Sequence, residues 1–220
     1  MNWPAVAATW LTLMVGLLIG GGIVDLASFL VAAAGGAALV VLGFAAASRR
    51  RMLSQTSRRQ RARLAILALV IGAALGVANL AANWAIGAAD PTLRVLLVER
   101  MAMLRPLDGI VASPILEEVV IRLFLMSAIA WVVSRFTNRA AVAFAIALVA
   151  SSLFFALLHL ARPLPEDLPL ANFYRAALLI KYTLAGLPLG WIFWRWGLPY
   201  VIVCHAVANA THLALQGVVF

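Results

Sequence analysis

Pro114-Ile-Leu-Glu117-Glu118-Val-Val-Ile-Arg122-Leu-Phe-Leu125 places three charges within six residues of an otherwise apolar stretch. The flanks, Gly109–Pro114 and Leu123–Val133, are almost wholly apolar. The run from Gly109 to Val133 is therefore long enough for a membrane span, which takes about 20 residues. A charged side chain at the centre of such a span costs roughly 2.5–3.5 kcal/mol on the mildest insertion scale. Three of them need partners or a task. Positions four apart share a helix face, so Glu118 and Arg122 can pair. Adjacent positions point about 100° apart, so Glu117 is expected to look elsewhere, into a cavity. A buried ion-pair cluster that only locks helix packing would explain Glu118 and Arg122. It would leave Glu117 uncompensated.

The rest of the chain supplies the same setting. Hydrophobic residues make up 65% of the 220 and charged ones 11%, with a mean hydropathy of +1.03. A soluble domain carries about a quarter charged residues. Runs of spanning length are read at Pro4–Val24, Leu26–Ala47, Leu64–Ile86, Gly109–Val133, Ala140–Leu160, Phe173–Trp194 and Leu198–Val219. The expected fold class is an all-α polytopic membrane protein, a bundle of about seven transmembrane helices, with little chain left for an extramembrane domain. No Lys or Arg precedes the first span, so it is read as a retained helix and not as a secretory signal. Cys204 is the single cysteine, which excludes an internal disulfide and an all-cysteine metal site. It reads as a small buried apolar residue.

The net charge of +9 does not point to nucleic acid. Arg49, Arg50, Arg51, Arg58, Arg59, Arg61 and Arg63 crowd the link between the second and third spans, without aromatic interleaving or a nucleic-acid module. The positive-inside rule puts that link in the cytoplasm, with attraction to anionic lipid headgroups as an additional partner. Links near Arg135, Arg139 and Arg195 then face the cytoplasm too, while 87–108, 162–172 and the C-terminus lie outside. A surface or re-entrant helix over Asp90–Leu104, with Leu93, Leu96, Leu97 and Met101 at helical spacing, would reverse the later spans. Gly16-x-x-x-Gly20, Gly72-x-x-x-Gly76 and Gly186-x-x-x-Gly190 are small-residue pairs that let helices approach closely. Pro188 is expected to kink the sixth span. The chain shows no internal repeat of the kind many transporters carry.

Two further spans hold histidine. The fifth ends Phe155-Ala-Leu-Leu-His159, and the seventh contains His205-Ala-Val-Ala-Asn209, followed by His212. His205, Asn209 and His212 fall at i, i+4 and i+7 on one face. A histidine near a span end often serves packing alone, but ionisable groups inside a membrane are functional candidates by default. A carboxylate can act as general base on a water that attacks a carbonyl. A histidine beside it can share or relay the proton, and a second histidine with an asparagine amide can donate to the developing oxyanion. These parts suffice for peptide-bond hydrolysis without a nucleophilic side chain. The same groups could bind Zn²⁺ with an open position, although two histidines four apart with an intervening Glu are absent.

Glu117-Glu118-x-x-x-Arg122, Phe155-x-x-x-His159 and His205-x-x-x-Asn209, in that order on three apolar helices, resemble the three motifs of the CPBP intramembrane protease family. That family includes CAAX prenyl endopeptidases and bacterial Abi-type and bacteriocin-immunity proteins. The resemblance covers Leu104 to the C-terminus, dividing the chain into N-terminal helices with a basic loop (1–103) and a protease-like core (104–220). It implies that Glu117 activates water, that His159 assists, and that His205 and Asn209 form the oxyanion site. Glu118, Arg122 and Phe155 are the supporting residues. It further implies metal-free hydrolysis of a peptide at the membrane, in a cavity within a helical bundle. The setting expected is a bacterial or archaeal plasma membrane. A non-enzymatic immunity or scaffold protein, a Zn-dependent protease and a proton-coupled transporter are the alternatives. One difficulty attends the assembly: Glu117 lies about eight residues into its span, His159 near the end of its own and His205 about seven into the last. The helices must be tilted, offset or broken for these groups to meet.

Overall fold

A computed structural model describes residues 3–19, 35–45, 58–102, 106–161, 164–166 and 168–219. Every regular element among the described residues is helical. In chain order they are α1 (Trp3–Ile19), α2 (Gly35–Ala45), α3 (Arg58–Ala89), α4 (Pro91–Ala102), the composite α5 (108–133), α6 (Ala140–Leu160), α7 (Ala171–Trp196) and α8 (Leu198–Val219).

Four of these, over Arg59–Ala89, Ala140–Leu160, Ala171–Trp196 and Leu198–Gln216, are long and apolar enough to cross a membrane. They match four of the seven expected spans. The first two expected spans contain the shorter apolar helices Pro4–Val15 and Gly35–Ala45, and the rest of each lies outside the described residues. The 109–133 run is helical throughout but is not one regular α-helix. In the four long helices only 28–33% of the apolar window is buried inside the protein. Ile66, Val70, Ile180 and Leu184 are about 60% exposed. Apolar faces of that extent belong against lipid. At 1.5 Å per residue the 32 residues of α3 reach about 48 Å, more than the roughly 30 Å hydrocarbon core. Its surplus lies at the N-terminus, where Arg59, Arg61 and Arg63 are all exposed.

Helix α4 occupies the expected Asp90–Leu104 stretch. Asp90 caps it, Oδ1 accepting the Thr92 N–H at 2.7 Å, and Pro91 takes the first position, where a missing N–H costs nothing. Its Leu93 and Leu97 are buried against Ile86, Tyr174 and Leu178. The apolar face of this helix therefore packs on protein.

The main core joins Leu13 of α1 and Val40 of α2 to Val119, Leu123 and Met126 of α5 and to Ile192, Phe193 and Val201 of the last two helices. Helix α3 packs most extensively on α8, and α6 on α7. A β-carbon at Gly72 would come within 2.9 Å of the Val207 Cβ, and one at Gly76 within 2.7 Å of the Thr211 Cβ. At Gly186 it would meet Ser152 Cβ at 2.9 Å. Two of the three small-residue pairs thus sit at close crossings, while Gly20 of the third lies outside the described residues. Helix α7 continues through Pro188 and ends at Gly197, whose φ of 95° turns the chain straight into α8. A residue with a β-carbon adopts that backbone only under strain.

Two π-helical stretches, Asp108–Ala112 and Glu118–Met126, bracket one α-helical turn, Ser113–Glu117, within α5. Pro114 lacks the N–H that would continue the ladder, so the i→i+5 pattern gives way there. Such widened turns alter which residues share a face, and they recur at functional sites.

Candidate active site

Helix α5 carries the two adjacent glutamates on the seam between its α and π stretches. Glu118 is fully buried. Its Oε2 accepts the Arg122 Nε–H at 3.2 Å, the expected i, i+4 pair. Arg122 is buried as well; its Nη1 donates to Ser151 Oγ at 3.3 Å, and its guanidinium lies 5.5 Å from the Phe155 ring centre. Ser151 in turn donates to the Leu148 carbonyl at 3.2 Å. The ion pair is thereby tied to α6. Paired, hydrogen-bonded charges are the form in which ions survive burial.

Sequence spacing set Glu117 on a different face from Glu118. In the structure one imidazole meets both. His205 Nδ1 donates to Glu118 Oε1 at 2.7 Å, and Nε2 lies 3.8 Å from Glu117 Oε2. A carboxylate only accepts, which fixes the proton on Nδ1. The side chain of Glu117 keeps 22% of its surface exposed, against 1% for Glu118. Glu117 Oε1 accepts a short hydrogen bond from the Ser113 hydroxyl, one turn earlier on the same helix. Its Oε2 has no hydrogen-bond partner among the described residues. Glu118 is thus spent on Arg122 and His205, while Glu117 retains one oxygen for something else.

His159 ends α6. Its Nδ1 donates to the Phe155 carbonyl at 2.9 Å, so in the neutral ring the lone pair sits on Nε2. Phe155 is the hub of this region: its ring lies 4.6 Å from His159, 6.0 Å from His205 and 6.1 Å from Tyr182, centre to centre. Tyr182 of α7 stacks on His159 at 4.0 Å. Asn209, one turn beyond His205 on α8, donates from Nδ2 to the Gly109 carbonyl at 2.7 Å. One of its two amide N–H groups is therefore committed to the π-helical stretch of α5. His212 turns to Asn83 of α3, with Nε2 3.3 Å from Asn83 Nδ2.

Glu117, His159, His205 and Asn209 all line one cavity of about 310 Å³. At roughly 30 Å³ per water molecule, it holds several waters or a short stretch of peptide. The four residues meet although α5 alternates between π and α turns and α7 passes into α8 through the single residue Gly197. Asn79 and Asn83 of α3 and Lys181 and Tyr182 of α7 are among the other polar residues of the cavity wall. The arrangement offers a part-exposed carboxylate, an imidazole 3.8 Å from it, a second imidazole, and amide donors. These are the parts of general acid–base hydrolysis. Among the described residues no three of His, Cys, Asp and Glu are grouped to hold a metal ion. Glu118 is already engaged by Arg122 and His205.

The sequence reading passed over Ser113, Asn83 and Lys181. Ser113 was legible, since it stands four residues before Glu117 in a helix. Lys181 carried a plainer signal, being an ionisable residue inside an apolar span. Asn83 carried a weaker signal, a polar amide inside the third expected span, and only α3 packing on α7 and α8 gives it a role.

The model for Rce1-like proteins, described as type II CAAX prenyl endopeptidase Rce1-like, matches residues 99–211 of the 220. No curated protein and no solved structure matches the chain. The matched region spans α5 to α8 and holds Glu117, Glu118, Arg122, Phe155, His159, His205 and Asn209. With its long apolar helices, this makes the chain an integral membrane protein of the CAAX protease type. On these grounds the chain belongs to the Rce1-like family of type II CAAX prenyl endopeptidases.

Proposed function

We infer that the protein is an intramembrane endopeptidase that cleaves a membrane-associated peptide with a water molecule activated by Glu117. One observation carries this reading. Of the two glutamates, only Glu117 is part-exposed, lines the cavity shared with His159, His205 and Asn209, and keeps an oxygen without a hydrogen-bond partner among the described residues. His205 Nε2 lies 3.8 Å from Glu117 Oε2, close enough for both groups to act on the same reacting centre.

Chemically, the water oxygen bonds to the peptide carbonyl carbon while Glu117 takes a water proton, and the carbonyl oxygen becomes an oxyanion. The second N–H of Asn209, and His205 Nε2 when that ring is cationic, donate to the oxyanion. Collapse breaks the C–N bond, and the amine leaves with the proton carried by Glu117, with His159 assisting the transfer. Ser113 holds the carboxylate in its attacking orientation. Glu118 and Arg122 position His205. The bundle of about seven spanning helices and the placement of this cavity within the membrane belong to the same proposal, as does hydrolysis without a metal.

The test uses the full-length protein in lipid nanodiscs with a library of lipidated, quenched peptides. Glu117→Gln should lower kcat on the order of 10²–10⁴-fold, with gel filtration and melting temperature unchanged. Chelators should leave wild-type turnover intact. Full activity in a folded Glu117→Gln protein would sink the glutamate reading, and activity that vanishes on chelation and returns with Zn²⁺ would replace it with a metalloprotease. A folded variant that keeps a biological activity without cleaving peptides would favour the immunity or scaffold alternative.

A further inference from the structure

Besides the Glu117–His205 group, the cavity is lined by Asn83, Lys181 and His212. Lys181 is the only lysine of the chain. It lies well inside α7, a helix apolar enough to span the membrane, and is partly exposed. Its Nζ donates to Asn83 Oδ1 at 2.5 Å and sits 4.6 Å from the centre of the Tyr182 ring. Asn83 passes an N–H on to His212 Nε2 at 3.3 Å. Among the described residues no carboxylate pairs with Lys181.

A polar contact that only tied α3, α7 and α8 together would need no charge. Asn83 and His212 already tie α3 to α8, a neutral side chain on α7 could reach Asn83 as well, and a lysine within a span is costly. An ammonium has three N–H donors. One is spent on Asn83, which fixes its direction, and the others remain for a ligand in the cavity. Arg100 adds a second cation to the lining, and Asp108 is the other acidic residue there besides Glu117. Tyr182 connects this cation to the Glu117 side, because the ring beside Lys181 is also the ring that stacks on His159 at 4.0 Å. Both groups line the one cavity.

We propose that Lys181, its ammonium oriented by Asn83, is a carboxylate-binding subsite for the peptide held in this cavity, the carboxylate being either a chain terminus or an Asp or Glu side chain. The peptide as ligand rests on the endopeptidase reading; the anion site rests on the geometry around Lys181.

Binding on an uncleaving protein separates the two. Full-length Glu117→Gln protein in neutral-lipid nanodiscs is titrated by fluorescence anisotropy with three N-acylated Ala-Leu pentapeptides. One has a free C-terminus, one a C-terminal amide, and one the amide with a Glu two residues from the end. The free acid should bind on the order of 10-fold more tightly than the plain amide. Adding Lys181→Gln should erase that difference. So should Asn83→Asp, which supplies Lys181 with an internal anion while keeping the helices tied, and which stands in if Lys181→Gln does not fold. Tight binding of the Glu-bearing amide assigns the site to side chains; tight binding of the free acid alone assigns it to chain termini. A preference for the acid that survives both substitutions, equal binding of all three peptides, or no binding overturns the subsite. If wild-type protein cleaves these peptides without regard to the carboxylate, the peptidase reading stands and the subsite falls. If it binds by carboxylate and cleaves none, the reverse holds.

Discussion

Ser113 holds Glu117 through a hydrogen bond within a single helical turn, and that bond decides which way the carboxylate faces. Removing the hydroxyl should loosen Glu117 without unfolding anything. Ser113→Ala is expected to lower kcat roughly 5- to 10-fold, the worth of one hydrogen bond to a charged group. KM should stay nearly constant and Ser113→Thr should recover most of the loss, as steady-state kinetics would show. Arg122 presents the opposite case. It satisfies Glu118, reaches Ser151 and lies beside Phe155, and removing it leaves a buried carboxylate uncompensated. Arg122→Ala should destabilise the protein by about 3–5 kcal/mol, read by chemical unfolding in detergent. Arg122→Lys should restore only part of that, because a single ammonium lacks the planar fork that serves two partners. Both residues were within reach of sequence reasoning, since each works through an i, i+4 partner. His205 was not legible in this detail: it was expected beside Asn209 at the oxyanion, and its link to Glu118 crosses 87 residues of chain.

At the scale of elements, the candidate site depends on how closely α3 meets α8. A methyl group at Gly76 would lie 2.5 Å from the Ala208 carbonyl oxygen and 2.7 Å from Thr211 Cβ. The first of these is backbone and cannot swing aside. Gly76→Ala should therefore cost about 1–3 kcal/mol and displace the turns of α8 that carry His205 and Asn209. Activity should fall with it. Gly35→Ala, where a β-carbon meets nothing within 4 Å, should leave both melting temperature and activity unchanged; equal losses at the two glycines would refute the close-packing account. The glycine pairs were visible as a pattern, but the pattern names no partner. The same limit applies to α5. An apolar run with Pro114 inside it reads as a span, whereas its alternation of α and π turns depends on tertiary packing. The Asn209 amide on the Gly109 carbonyl is one such contact.

For the whole molecule, the family match covers 99–211, yet α3 lies before it and contributes Leu75, Asn79 and Asn83 to the cavity wall. Residues 104–220 produced alone should aggregate or remain inactive, and supplying 1–103 as a separate chain should restore a monodisperse, active protein in gel filtration and cleavage assays. Activity of 104–220 alone would show that α3 is dispensable. The sequence by itself determined the all-helical membrane character, the positions of the four long helices and the Glu118–Arg122 pair. It also supplied the short list of groups with no structural excuse. Hydropathy and helical periodicity are local properties, and a window of about 20 residues expresses them completely. Only the tertiary structure decided that one imidazole meets both glutamates, that Asn209 is half committed to Gly109, and that Lys181 opens on the same cavity. Those contacts depend on the tilt, depth and closeness of helices far apart in the chain. Steric fit at Gly72 and Gly76 and the turn at Gly197 set those quantities, and no local pattern encodes them.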